Sequence, residues 1–172
     1  MLFRSLAKSA ISVGKKVAFA FGCETADDIR LHYFAAKEYE RNYKSGGIFK
    51  VDNSIGDYIE IMICDIKSYL VSMYYMTSFF PKDNIILFWD EPTITLDYNE
   101  HECHNYINEL WKNNIIPNII LSSATLPQDH EISDLISDFM GKFENPNYHR
   151  ITSNECTKSI SLINNEGYVV LP

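Results

Sequence analysis

Two apolar runs of strand length, each ending abruptly in polar residues and separated by one helix-length segment, constrain this chain most. Ile85 to Trp89 is continuously apolar and delivers Asp90 and Glu91 at its carboxyl end; Asn118 to Leu121 does the same for Ser122, Ser123, Ala124 and Thr125. Continuous rather than alternating apolarity predicts parallel strands buried on both faces. A two-residue hairpin cannot join parallel neighbours, so the intervening segment must cross over, and Tyr98 to Asn114 places Ile107, Leu110 and Trp111 on one helical face for that purpose.

The rest of the chain extends the alternation. Leu2, Phe3, Leu6, Ala10 and Val13 form a helical stripe that Gly14 stops, and Val17, Phe19 and Phe21 alternate as a strand. Thr25 to Tyr43 keeps a near-helical period, opened by Thr25 and Asp28 at capping-box spacing. Turns follow around Ser45 to Gly47 and Asn53 to Asp57, with an extended piece at 48–51 between them. Residues 58–66 read as a strand and Ser68 to Phe80 as a buried helix closed by Pro81; Glu131 to Met140 reads as a helix ended by Gly141. This order predicts an α/β fold: a doubly wound, mainly parallel sheet flanked by helices in three layers, with right-handed crossovers. One domain is expected over 1–172, its core at about 2–140, with short strands and turns in 141–172.

Composition narrows the setting. The net charge of −8 is uneven, because residues 1–50 carry nine basic and five acidic side chains while 51–172 carry six and eighteen. Such a surface argues against broad attraction of a phosphate backbone and confines any nucleic-acid contact to a local basic face. Cys23, Cys64, Cys103 and Cys156 show no paired spacing, which fits free thiols in a reducing, intracellular compartment. No apolar run reaches the roughly 20 residues that span a bilayer.

In doubly wound sheets chemistry gathers beyond the carboxyl ends of the strands. Asp90 is there a hard oxygen ligand on a rigid strand, suited to a Mg²⁺ that keeps much of its water, and Glu91 is placed to polarise an attacking water, with Pro92 holding Glu91 extended. A bare acidic pair at a strand end is more often a turn cap; the second strand end, I-I-L-S-S-A-T-L-P, changes that weighting. Together the two segments resemble motif II (D-E-x-x) and motif III (S-A-T) of superfamily 2 helicases, DEAD-like P-loop NTPases. The resemblance implies a first RecA-like domain of an ATP-dependent nucleic-acid motor, with ATP and Mg²⁺ as cofactors. Asp90 matches its magnesium-associated Asp and Glu91 its water-activating Glu, both catalytic. Ser123, Ala124 and Thr125 match the tripeptide that couples nucleotide state to the nucleic-acid side. The fourth motif II position, often Asp or His in the family, is Thr93, whose hydroxyl can still bond Ser123 or Thr125. Thr25 and Lys67 lie where the family's motifs Ia and Ib touch nucleic acid, DNA or RNA; helix capping and solvation are the plainer roles for both.

The sequence departs from the family in one decisive respect. No G-x-x-x-x-G-K-[ST] occurs, and the nearest approach, Ser9 to Lys16, lacks the first glycine and the final hydroxyl. That loop supplies most phosphate binding, so the isolated chain is expected to be inactive, with the P-loop and a second RecA-like domain supplied in cis or in trans. Truncation, a split gene or a degenerate copy would each produce this pattern, and the Asn, Ile, Lys and Tyr bias resembles products of A/T-rich genomes such as large DNA viruses. A catalytically inactive RecA-like interaction or nucleic-acid-binding module is the alternative. D-E-P-T-I-T-L-D also resembles ABC-type ATPases, with Asp97 in the D-loop, but no glycine-rich signature precedes the strand. His101, Cys103 and His104 diverge around a helix and read as polar helix surface rather than a metal site; Tyr74, Tyr75, Phe79 and Phe80 read as core packing rather than base-stacking platforms.

Overall fold

The computed structural model describes residues 2–42, 48–51, 56–93, 95, 98–124, 127–152, 162–163 and 169–171. It divides into two compact units, 1–128 and 129–172. In the first unit, helix α1 (Leu2–Ser12) is followed by strands β1 (Val17–Ala20), β2 (Arg30–Leu31), β3 (Tyr39–Asn42), β4 (Ile48–Val51) and β5 (Ile61–Cys64). Helix α2 (Tyr69–Thr77), β6 (Ile86–Asp90), α3 (Glu102–Asn113) and β7 (Asn118–Ser122) complete it. The second unit holds α4 (Ser133–Lys142) and the antiparallel pair β8 (Leu162–Ile163) and β9 (Val169–Leu171).

The architecture is a mixed α/β fold in which helices flank small sheets. One sheet has the order β2-β1-β5, with β1 antiparallel to β2 and parallel to β5. Alternation along β1 sends Val17 and Phe19 to one face, where α1 covers them with Ala7, Ala10 and Ile11, beside Ile61 and Ile63. Ala18 and Ala20 face the other way into a core of Ile29, Leu31, Ala35 and Ile59, closed by Val71, Tyr75 and Met76. Helices therefore lie on both faces of this sheet. Gly14 ends α1 at φ +78°, a conformation that costs a residue with Cβ about 1 kcal/mol or more.

Several expectations are corrected. The segment expected as a helix from Thr25 is not one over its described residues, 25–42: the capping residues start only a 3₁₀ turn at Ala26–Asp28, and a second follows at Tyr33–Ala35. Ile29 and Leu31 are buried against β1, and the His32 amide donates to the Val17 carbonyl at 2.8 Å, so burial beside an existing strand outweighs helical periodicity. Gly141 lies inside α4 instead of ending it. The sheet is not continuous, because β6 and β7 pair in parallel as a separate ribbon. Nor are those strands buried on both faces. Leu87 and Trp89 pack with Tyr69, Met73, Leu110, Ile116 and Trp111, whereas Ile86 (63% exposed), Phe88 (58%) and Ile120 (49%) form an open apolar face.

Candidate functional site at the carboxyl ends of β6 and β7

The register of β6 and β7 sets Asp90 directly opposite Ser122, so the two polar strand ends emerge side by side. Beyond that pair the chains stay tied, the Glu91 amide donating to the Ser122 carbonyl at 2.7 Å. Glu91 does not continue the strand: its φ is +51°, a left-handed conformation, and not the extended one expected before Pro92. The turn is held by the side chain. Ser123 Oγ donates to Glu91 Oε2 at 2.9 Å, and the Ala124 amide approaches Glu91 Oε1 at 3.5 Å. Thr93 Oγ1 lies 3.3 Å from Ser123 Oγ. A left-handed non-glycine residue costs on the order of 1–3 kcal/mol and persists where its surroundings over-determine it, as these bonds do.

The structure thus brings Asp90, Glu91, Thr93, Ser123 and Ala124 together; Thr125 and Asp97 lie outside the described residues. Asp90 is half-buried, and its carboxylate accepts no hydrogen bond among the described residues. No cluster of three or more His, Cys, Asp or Glu able to hold a metal exists among the described residues. One carboxylate beside hydroxyls does fit a Mg²⁺ that retains several waters and takes its other ligands from phosphates.

Thr25 and Lys67 make neither a hydrogen bond nor an ion pair with this group. Asp28 accepts from the Thr25 amide and hydroxyl, both at 3.1 Å, and these bonds with that from the Glu24 amide hold its carboxyl below the usual range. Lys67 donates to Glu102 at 3.4 Å and lies 5.3 Å from the centre of the Tyr106 ring; the Glu102 bond raises its pKa. His101 caps α3 by accepting from the Cys103 amide, and His104 Nε2 meets the Thr95 carbonyl at 2.9 Å, so the H-E-C-H segment organises the helix start. Of the aromatic cluster, Tyr75 and Phe79 meet edge to face at 5.3 Å while Tyr74 is half exposed, so core packing describes only part of it.

Two supporting hydrogen-bonded groups were not foreseen as such, although the segments 22–25 and 65–68 stand out in the sequence as strand exits. Asp65, one residue past β5, accepts from the Gly22 amide at 2.9 Å and the Ser68 amide at 2.8 Å, and buried Ser68 Oγ accepts from the Cys23 amide at 2.8 Å. Together they clamp the exits of the parallel strands β1 and β5. The D-I-K-S spacing was the available signal, an Asp positioned to satisfy amides at the start of α2. The second is Asn114, buried at the end of α3. Comparison with family models, curated proteins and solved structures finds no match to this chain.

Proposed function

We propose that the β6–β7 ribbon is the motif II and motif III portion of a RecA-like, superfamily 2 helicase-type NTPase domain. On this reading it does not turn over nucleotide by itself and works with a phosphate-binding loop borne on another segment. The observation that carries the reading is the hydrogen bond between Ser123 and Glu91 across adjacent parallel strands. In the resembled family the fourth motif II position, often Asp or His, bonds motif III; here that position is Thr93, whose hydroxyl lies 3.3 Å from Ser123 Oγ.

Asp90 would hold Mg²⁺ through water, and the bound Mg²⁺–nucleotide would supply neutralisation of the phosphate oxygens. Glu91 keeps acceptor capacity after accepting the hydrogen bond from the Ser123 hydroxyl, enough to orient a water and receive its proton. Ser123 fixes the carboxylate, so a change at motif III alters where Glu91 points. Nucleic acid is the partner this family reading implies. An inactive RecA-like scaffold is the second reading, favoured by the absence of any G-x-x-x-x-G-K-[ST] in the sequence.

Mn²⁺ with ATP, titrated into isotopically labelled full-length chain, tests the site. Paramagnetic broadening should centre on Asp90, Glu91 and Ser122 to Ala124, with weak, millimolar-range affinity, and disappear in Asp90→Asn. Broadening elsewhere, or none at these strand ends, defeats the nucleotide reading. Micromolar affinity would show that the chain needs no separate phosphate loop.

A further inference from the structure

We propose that α4 of one copy docks into the groove between α1 and β1 of a second copy, making this chain self-associate. The groove encloses about 500 Å³ and is floored by Ala7, Ile11, Phe19 and Phe21, with Arg4 and Lys8 lining it as well. Phe21 is 48% exposed, and its ring lies 6.4 Å from that of Phe19 in a stacked pair, so the floor is wide and apolar. Residues 1–23 contain four basic side chains and no acidic one. Arg4 and Lys8 stand one helical turn apart and have no ion-pair partner among the described residues.

The complementary surface lies on the same chain. Helix α4 reads S-D-L-I-S-D-F-M-G-K, carrying Leu135, Ile136, Phe139 and Met140, yet none of its residues is buried. Asp134 and Asp138 repeat the four-residue spacing of Arg4 and Lys8 and likewise lack an ion-pair partner among the described residues. Both pairs therefore stand about 6 Å apart along their helices, and at ten and eleven residues the helices are each about 15 Å long. Residues 129–172 hold seven acidic and three basic side chains, a net −4, against the uniformly basic start of the chain. An acidic amphipathic helix laid in a basic-walled apolar groove is an established recognition mode. Reciprocal exchange gives a two-fold dimer with two such contacts, and one-way exchange gives an open chain.

Sedimentation equilibrium on the full chain, from micromolar to millimolar concentration, tests the proposal. The wild type should associate reversibly, more weakly as salt is raised. Arg4→Glu/Lys8→Glu and Asp134→Lys/Asp138→Lys should each weaken self-association at least about tenfold, the scale of losing close charge pairs, while mixing the two variants restores a heteromeric species. All four sites are on the surface; far-UV circular dichroism confirms the fold, and Lys82→Glu serves as a single-site charge-reversal control that keeps wild-type affinity. A wild type that stays monomeric throughout, reversed variants that associate like it, or a mixture without rescue each overturns the proposal. So does a monomeric wild type whose groove takes a single-stranded oligonucleotide or an unrelated acidic peptide.

Discussion

Asn114 shows how one buried polar side chain can order a whole junction. It ends α3, is 2% exposed, and its Oδ1 accepts from the Tyr69 hydroxyl and from the Ile116 amide at 3.1 Å, while its Nδ2 donates to the Ile116 carbonyl at 2.9 Å. Asn114→Ala strands three buried polar groups at once. The expected loss is about 3 kcal/mol in urea unfolding, and Tyr69→Phe in the alanine background should recover part of it by removing one orphan. Cys64 supplies a pH prediction. Burial pushes its thiol up to about 11, and the Tyr69 hydroxyl is raised as well by burial. In the unfolded chain the thiol ionises near its ordinary value of about 9, so above that pH the unfolded state binds fewer protons than the folded one. Stability should therefore be intact below about pH 8.5 and fall by about 2 kcal/mol as pH rises towards 11. Cys64→Ala should remove most of that slope; an unchanged slope would assign it to other groups. At this scale the sequence pointed to Asp90, Glu91, Thr93 and Ser123, which the structure brings together, because strand ends advertise themselves by an abrupt polar switch. It did not expose Asn114, because an asparagine before I-I-P reads as a helix stop whether it is buried or not.

Among elements, the β6–β7 ribbon departs most from expectation. Apolar runs predicted strands correctly, but an apolar run states only that a face can be buried, not that a neighbour arrives to bury it. Ile86, Phe88 and Ile120 consequently lie about half exposed or more beside the Asp90–Ser122 strand ends. Phe88→Thr keeps strand propensity and removes no enclosed contact. Its unfolding free energy should stay within about 0.5 kcal/mol of wild type while aggregation onset in static light scattering moves to higher concentration. A loss above about 2 kcal/mol would mean that this face is covered in solution. The same reasoning explains the missing helix after Thr25. Its residues have a helical period, yet Ile29 and Leu31 gain more by closing over Ala18 and Ala20 than a helix of that composition would return.

For the molecule as a whole, the three buried clusters draw their members from residues 7–116 and so lie within the first unit, which predicts that it folds without the second. A chain ending at Gln128 should unfold in one cooperative urea transition and keep the near-ultraviolet signal of Trp89 and Trp111, whose rings sit 6.2 Å apart. Loss of that signal would show that 129–172 completes the core. No helix of the described residues is long and apolar enough to cross a membrane. What the sequence determined by itself was local: where most helices and strands lie, and which of their ends carry acids and hydroxyls, because period and polarity switches are written in neighbouring residues. Only the tertiary structure decided that Glu91 turns left-handed to meet Ser123, that Asp65 and Ser68 clamp two strand exits, and that one face of the ribbon stays open. Each of those depends on residues some 30 to 45 positions apart choosing one another, which is a competition among burial, hydrogen bonding and chain entropy that no local pattern records.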